Sequence, residues 1–544
     1  MKMKKHSIIW GLMSIITTGF IYACASVGTP TGGYTDRIPP VPLMYSPENG
    51  TTNFSERKIT VIFNERIKFN DLNKNLIVSP HLDLLDHIKP TSAMPSKELT
   101  IDLSKVELEP NTTYTINFGS SIADYNENNT LPNFKYVFST GDKIDSLVIG
   151  GVVEDAQGDK FDPKTSILLY RVDSTYTDST VFKERPLYIT NLSDKDSTFR
   201  IDNITPGEYK LFALVDEGGN KLYDPHRDKI AFFPRTIVLD STANGEKGYL
   251  LRTAMGVLPY KIYSPANVQK GCIKIALNGF TEEHTIERIL PALPEGEKDL
   301  FIYSSDRDTL SYWSSADEKD SIVFYVKKGD EVTDTINAKI RKASDPDFVV
   351  RMAGSSIHMY ENIKIRATKP ITTVDTSAIS LTIDKDSVPV PFEVKVDSTM
   401  HGADIIFTQK PGAKYALQIL PEAFTSILGE NTRDTLTRVI TTHTRDDYGD
   451  LRINPVSFDQ YPMIFQLMNS TKSEVVREKV LRKAGSVTFD VLPPDKYYLR
   501  IIFDANGNGK WDTVDYMKQQ QPERIKYMKD LIEIRAMWSE DIDW

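Results

Sequence analysis

Alternation of apolar and polar residues constrains the fold of this chain more than any other sequence feature. Leu99, Ile101 and Leu103 stand at every second position with polar residues between them, and many segments repeat this pattern. A period of two places alternate side chains on one face of a β-strand. Turn signals such as Pro-Asn at 110–111 and Pro-Gly at 206–207 separate the segments, and few stretches show a helical period. The fold is therefore predicted to be all-β, with tandem β-sandwich domains.

Length and composition fit a series of ordinary globular domains. The chain has 544 residues, of which 40% are hydrophobic and 26% charged. At roughly 100–200 residues per domain this length predicts about three to five folding units. The net charge of -10 and the lack of a basic stripe argue against nucleic acid as a partner.

The N-terminus carries the features of an export signal. Residues 1–5 include three lysines, and residues 7–21 are mostly apolar, which is the length of a signal-peptide core and short for a membrane span. Ile-Tyr-Ala-Cys follows at 21–24 and resembles the bacterial lipobox, although Tyr22 stands where a small residue is usual. Residues 1–23 are therefore predicted to be a signal peptide and 24–37 a lipidated tether. The alternative is a plain signal peptide with an incidental cysteine.

The lipobox resemblance implies that Cys24 becomes the lipidated N-terminus of the mature chain. The membrane is then a partner through that lipid, since several acyl chains anchor a protein stably. Ala25 resembles the residue that sorts Gram-negative lipoproteins to the outer membrane. A periplasm-facing outer-membrane lipoprotein is the prediction, and surface exposure is the alternative. Cys272, the second cysteine of the chain, has no disulfide partner and is predicted to lie in the core.

An internal repeat organises the chain. Residues 110–116 align with 411–417, and residues 204–211 align with 492–499. Further along, the spacing of Asp, Asn, an aromatic residue and Asp is the same in 216–224 as in 504–512. The interpretation is a two-domain module of about 200 residues that occurs twice.

Each half of this module resembles a known type of sandwich. Residues 46–53, 59–65 and 110–114 resemble the SbsA-type bacterial Ig-like domain, and residues 150–158 and 198–209 resemble a prealbumin-like or CNA-B-type sandwich. The resemblance implies fold and almost nothing about function. The predicted domains are an Ig-like domain at 38–142, a prealbumin-like sandwich at 143–244, an additional β-domain at 245–345, a second Ig-like domain at 346–445 and a second prealbumin-like sandwich at 446–544. Five sandwiches in series are expected to form a rod or arc.

One loop has the ligand spacing of a calcium site. Residues 504–515 place oxygen-bearing side chains at positions 1, 3, 5, 9 and 12, with Gly509 at position 6. The candidate ligands are Asp504, Asn506, Asn508, Asp512 and Asp515. The alternative is a metal-free acidic hairpin, because Asn-Gly pairs are strong turn signals. In the aligned segment Gly218 and Lys221 replace a ligand and the turn glycine. Beyond calcium, no cofactor is expected.

A second pattern is Asp followed by Ser or Thr and then an aliphatic residue or Thr. It resembles the O-glycosylation sequon of exported proteins in one large group of Gram-negative bacteria. The alternative is that Asp-Ser and Asp-Thr are turn residues leading into strands. The hydroxyl residues of its twelve occurrences are Ser146, Ser174, Ser179, Ser197, Ser241, Thr309, Ser321, Thr335, Ser387, Ser398, Thr435 and Thr513.

Motifs of catalysis are missing from the sequence. It contains no HExxH, no GxSxG and no GxxxxGK[ST] segment. The predicted function is therefore a non-catalytic, multi-domain envelope lipoprotein that acts as a structural or protein-interaction scaffold, with an unidentified envelope protein or glycan as partner. The alternative is a lipoprotein that binds carbohydrate or peptidoglycan. A third interpretation is an enzyme with a site assembled between domains.

Overall fold

The protein is described here from a computed structural model that covers residues 36–90, 95–158, 161–192, 196–240, 247–317, 319–352, 354–383 and 388–544. The predicted signal peptide, Cys24, Ser241 and Ser387 lie outside these ranges. Helices in the described residues are single turns: Leu72–Asn75, Thr180–Lys183, Leu85–His87, Thr376–Ala378 and Arg445–Asp447. None of them is long and apolar enough to cross a membrane. Strands dominate the rest, which confirms the all-β prediction.

The chain divides into two compact units, Met1–Ser146 and Leu147–Trp544. The first unit contains domain 1, a sandwich of sheets β1-β2-β5-β4, with β7 on β2, and β3-β6-β8. Leu99, Ile101 and Leu103 are buried in its core as the alternation predicts. The strands are β1 (Pro42–Ser46), β2 (Lys58–Phe69), β3 (Ile77–Ser79), β4 (Ile88–Lys89), β5 (Ser96–Asp102), β6 (Thr113–Asn117), β7 (Ile122–Asp124) and β8 (Lys135–Ser139).

Domain 2 opens the second unit. Its sheet order is β11-β10-β13-β14-β16-β9-β12, with β15 on β13. The strands are β9 (Leu147–Asp155), β10 (Thr165–Arg171), β11 (Tyr188–Asn191), β12 (Thr198–Ile204), β13 (Gly207–Val215), β14 (Lys229–Phe232), β15 (Ile237–Leu239) and β16 (Lys247–Met255). β16 pairs in parallel with β9 and antiparallel with β14. The predicted boundary at 244/245 is therefore too early, because a strand that closes this sheet lies beyond it.

Domain 3 has sheets β17-β19-β22-β21, with β18 on β19, and β20-β23-β24. Its core includes Ile275, Leu310 and Phe324. The strands are β17 (Lys261–Ile262), β18 (Ala266–Gln269), β19 (Cys272–Asn278), β20 (His284–Leu290), β21 (Asp299–Tyr303), β22 (Thr309–Ser314), β23 (Ser321–Lys328) and β24 (Glu331–Lys339).

Domain 4 has sheets β25-β27-β32-β31, β26-β35-β33-β29-β30 and β28-β34. Its core includes Ile365, Ile405 and Leu417. The strands are β25 (Val350–Met352), β26 (Ser356–Ile357), β27 (Ile363–Ala367), β28 (Ile371–Val374), β29 (Ile379–Ile383), β30 (Val388–Pro389), β31 (Phe392–Val396), β32 (Gly402–Phe407), β33 (Lys414–Ile419), β34 (Phe424–Ser426) and β35 (Leu436–Thr442).

Domain 5 has sheets β38-β37-β40-β41, with β42 on β40, and β39-β36-β43. Its core includes Leu451, Phe465 and Leu499. The strands are β36 (Gly449–Asn454), β37 (Met463–Met468), β38 (Val475–Leu481), β39 (Val487–Leu492), β40 (Asp495–Phe503), β41 (Ile525–Tyr527), β42 (Ile532–Ile534) and β43 (Ser539–Asp543).

The main strand orders correspond within each pair of domains that the repeat aligns, but domain 4 has the additional strands β26 and β30, and the single sheet of domain 2 corresponds to two sheets in domain 5. In domain 5, β43 pairs in parallel with β36, as β16 does with β9 in domain 2. In domains 1 and 4, a buried tyrosine hydroxyl accepts the backbone N–H five residues upstream: Tyr114 from Glu109 and Tyr415 from Lys410, both at 2.8 Å. These tyrosines occupy aligned sequence positions. Duplication stays a prediction that accounts for the agreement.

The junction of domains 3 and 4 contains a buried lysine. Lys369 has no exposed side-chain surface, and its Nζ lies 2.9 Å from Asp345 and 2.8 Å from Glu430. Hydrogen bonds from Lys369 and Lys270 lower the pKa of Asp345. Cys272 is buried at the same junction, and burial raises the pKa of its thiol to about 12. The thiol is therefore protonated at neutral pH, as the prediction of a core cysteine requires.

Candidate functional site

The predicted calcium loop follows β40 and is organised around Asp504. This carboxylate is 1% exposed and accepts three backbone N–H groups. Oδ1 accepts from Gly507 at 2.7 Å and from Asn508 at 3.1 Å, and Oδ2 accepts from Gly509 at 2.9 Å. A short polar side chain that accepts from nearby backbone is a common way to hold a tight turn.

The other four candidate ligands are also engaged. Asn506 and Asn508 donate their side-chain amides to the carboxylate of Asp512, Asn508 at 2.8 Å. Asp515 pairs with Lys518, with Oδ2 and Nζ 3.2 Å apart. Within the described ranges, no group of three or more His, Cys, Asp or Glu side chains is placed to hold a metal ion. Calcium binding stays a prediction, and it requires these side chains to exchange their present partners for the ion.

Glu523 supports this loop from outside the predicted ligand set. Its carboxylate accepts the N–H of Ala505 at 2.7 Å and that of Asp512 at 3.2 Å, so it joins the two ends of the loop. The side chain is mostly buried, and burial raises its pKa. Its main-chain carbonyl also accepts the indole N–H of Trp511 at 2.9 Å.

The aligned loop of domain 2 has the same hydrogen-bond plan. Asp216 accepts from the N–H groups of Gly219 at 2.6 Å and Lys221 at 2.9 Å. Asp228 accepts from Glu217 at 3.1 Å and from Asp224 at 2.9 Å, and burial raises its pKa. Asp228 thus occupies the role that Glu523 has in domain 5. Sequence reasoning missed both, although in each copy an acidic residue stands just before the next strand.

We expect calcium, if the loop of domain 5 binds it, to raise the melting temperature of the intact protein. An ion at one hundred times its dissociation constant adds about 2.7 kcal/mol to the folded state. Asp504→Ala should abolish the response, and it should also destabilise the loop without calcium, because three N–H groups lose their acceptor.

Asp216→Ala is the matched control for this calcium test. It removes the corresponding acceptor in domain 2, where Lys221 places an ammonium group 3.3 Å from the carboxylate. It should therefore destabilise its loop and leave the calcium response intact. Scanning calorimetry in calcium and in chelator gives the comparison. Identical melting of the unmodified protein in both would leave the five residues as turn residues only.

The end of this loop and the chain that follows it contact domain 2. Val514 forms a parallel bridge with Gly256, and its carbonyl accepts the N–H of Val257 at 3.0 Å. The N–H of Ile525 donates to the carbonyl of Ala156 at 3.3 Å. Two domains that are not neighbours in sequence therefore share main-chain hydrogen bonds. This contact differs from the expected rod or arc of sandwiches that touch only in series.

Tyr516 is the centre of this contact, which we call the 2–5 face. Its ring is 5% exposed and lies 5.3 Å, between centroids, from both Phe212 and Phe232 of domain 2. Its hydroxyl lies 3.2 Å from that of Tyr176 and 3.4 Å from a carboxylate oxygen of Asp178. Burial raises the pKa of Tyr516, so the phenol stays neutral. The ring belongs to a buried apolar cluster that both domains build.

The predicted glycosylation positions differ in exposure. Ser146, Ser174, Thr335, Ser398 and Thr435 are exposed, and Ser179, Ser197, Thr309, Ser321 and Thr513 are half-buried. The hydroxyl of Thr513 donates to the carbonyl of Met255 at the 2–5 face. Glycosylation stays a prediction for all of these positions.

Several of these segments form side-chain-supported turns. Asp173 accepts from both the N–H and the hydroxyl of Thr175, at 2.8 and 2.7 Å. The pairs Asp196–Thr198 and Asp397–Thr399 repeat the arrangement. Such contacts are what the turn interpretation of the pattern predicts.

Comparison with known proteins identifies one domain. Residues 36–140 match the family described as bacterial Ig-like domain, which agrees with the Ig-like domain predicted at 38–142. No curated protein matches the chain in sequence.

Solved structures similar to this chain include the major pilin subunit BcpA of Bacillus cereus, which is 10% identical in sequence. The match covers 73% of this chain and 98% of BcpA, with a TM-score of 0.15. They also include SGBP-B of the Bacteroides ovatus mixed-linkage glucan utilization locus, in complex with a mixed-linkage heptasaccharide. SGBP-B is 12% identical to this chain in sequence. The match covers 64% of this chain and 83% of SGBP-B, with a TM-score of 0.19.

Proposed function

We propose that this protein is a non-catalytic scaffold of the bacterial envelope, anchored by lipid at Cys24, in which domain 5 closes on domain 2. The observation that carries the proposal is the burial of Tyr516 among aromatic residues of domain 2. The contact joins segments 258 residues apart in sequence, as the Thr513–Met255 hydrogen bond illustrates. Because domains 2 and 5 are in contact, domains 3 and 4 form a segment of the chain that is fixed at both of its ends.

Rigidity is what the 2–5 face contributes to a scaffold. Contacts between domains of one chain usually allow relative motion unless the interface is large and hydrophobic. Here the contact combines a buried apolar cluster with main-chain hydrogen bonds at Val257 and Ile525. A side chain of domain 5 also reaches across, since Gln521 donates to the carbonyl of Phe232 at 3.0 Å. Together these contacts favour one fixed arrangement of the two domains.

The membrane assignment comes from the sequence. A lipid at Cys24 would connect the protein to the outer membrane through the predicted tether of residues 24–37, and we propose that the protein faces the periplasm. Carbohydrate binding is the second candidate function, and a cleft in domain 4, described below, favours it.

Hydrogen exchange tests the fixed arrangement in the unmodified protein. We expect the amides of Val257 and Ile525 to exchange slowly, at a rate limited by the unfolding of domain 2 or domain 5, because both donate across the face. The amide of Lys510 is the control, since it bonds only to the nearby side chain of Asn508 and should exchange fast. Fast exchange at both Val257 and Ile525 would contradict a rigid scaffold.

A further inference from the structure

A cleft of about 370 Å³ lies at the edge of domain 4, where β27 begins and β32 ends. Its volume is within the range of small-molecule sites, roughly 300–1,000 Å³. The residues that matter here are Tyr360, Asn362, Phe407, Gln409, Pro411 and His443. None of the residues that line it is an acid, a lysine or an arginine. Such a lining suits a neutral ligand rather than an ion.

Tyr360 is unusual both in exposure and in backbone conformation. Its side chain is 81% exposed, and its φ is +64°. It occupies the third position of a turn closed by the N–H of Glu361 and the carbonyl of His358 at 3.2 Å. Positive φ at that position favours Gly or Asn and is strained for a bulky side chain. A strained residue whose ring packs little against the fold is a candidate for a function outside folding.

Polar groups around the cleft have unused hydrogen-bonding capacity. The amide of Asn362 has no partner among the described residues, and Gln409 donates its amide to the carbonyl of Glu361, which leaves its oxygen as an acceptor. His443 stacks on His358 with centroids 5.2 Å apart, and its Nδ1 lies 3.4 Å from Asp447. Amides and an imidazole supply both donors and acceptors. Phe407 and Pro411 add apolar surface to the same cleft.

We propose that this cleft binds a neutral saccharide, with the apolar face of one pyranose ring stacked on Tyr360. A sugar ring presents C–H groups on its faces and hydroxyls at its edge, and each hydroxyl both donates and accepts. The aromatic ring fits the first feature, and Asn362, Gln409 and His443 fit the second. The saccharide is either a free oligosaccharide or the glycan strand of peptidoglycan. This inference deepens carbohydrate binding, the second candidate function, and does not depend on the scaffold role.

Isothermal titration of the full-length protein in detergent tests the proposal. The probes are cellotetraose and maltotetraose for neutral glucans, chitotetraose for an N-acetylated glycan strand, and tetragalacturonate as the anionic control. We expect binding of at least one neutral probe and none of tetragalacturonate. Binding of chitotetraose alone would assign the site to an N-acetylated strand, and binding of a glucan probe would assign it to free oligosaccharides. Failure of all three neutral probes at millimolar concentration would overturn the proposal.

Tyr360→Gly separates binding from folding. Glycine accepts the positive φ without strain, so the melting temperature should stay the same or rise, whereas affinity should fall at least about tenfold without the ring. Tyr360→Phe keeps the ring and should retain binding. Trp538→Ala, at a tryptophan of domain 5 that is 59% exposed, is the control and should leave affinity unchanged. Unchanged affinity in Tyr360→Gly, or an equal loss in Trp538→Ala, would contradict the assignment. These binding results are independent of hydrogen exchange at the 2–5 face, so the binding proposal and the scaffold proposal can fail separately.

Discussion

Replacing Tyr516 with alanine is expected to lower the free energy of unfolding by about 3–5 kcal/mol, as for other large aromatic residues removed from a core. The ring is 5% exposed and packs against Phe212 and Phe232, so its loss leaves a cavity that two domains would have to fill. Because the cluster joins the domains, the same change should separate domain 5 from domain 2.

Calorimetry and limited proteolysis measure the two parts of this result. We expect a new transition at lower temperature and faster cleavage between β16 and β17. Tyr516→Phe retains the ring and loses only the contacts to Tyr176 and Asp178, so it should cost about 1 kcal/mol. Tyr125→Ala, at an exposed tyrosine of domain 1, is the neutral control. A Tyr516→Ala protein that melts and is cleaved like the original would show that the 2–5 face does not hold the domains.

Cys24→Ser is expected to abolish lipid attachment completely. Only a cysteine at this position can take the lipid that the lipobox resemblance implies, so the variant should leave the membrane fraction for the soluble one. Metabolic labelling with a fatty-acid probe, followed by detergent partitioning, measures both effects.

Cys272→Ser is the matched control, because it removes the other cysteine of the chain. Cys272 is 2% exposed at the junction of domains 3 and 4, so it is inaccessible to lipid transfer and its replacement should leave labelling unchanged. Undiminished label in Cys24→Ser would exclude the anchor and favour plain secretion.

Local patterns were sufficient to predict the class of fold and much of the core. Leu99, Ile101 and Leu103 stand at every second position and are buried together, because every second side chain of a strand lies on the same face. The sequence predicted Asp504 as a calcium ligand in a loop with Asn-Gly turn signals, and its role as the acceptor that organises the loop was seen only in the structure. The backbone groups that it accepts all lie within five residues.

The sequence contains one sign that domain 2 is covered on both faces. Residues 167–170 and 211–215 are uninterrupted apolar runs, and both strands are buried throughout these positions. A strand with a single buried face alternates, whereas a strand covered on both sides reads as a continuous apolar segment. Such a run predicts that something covers the second face, and it does not identify the partner.

Tertiary structure alone decided which elements meet. The partnership of Tyr516 with domain 2, the place of β16 in the sheet of that domain, and the support of the loop by Glu523 all join residues distant in sequence or outside a recognised motif. The pattern of apolar residues in a segment indicates whether one face or both faces of a strand are buried, because buried positions are filled mainly by apolar residues. Which face packs on which depends on the shape of the assembled domains, and no local pattern records it.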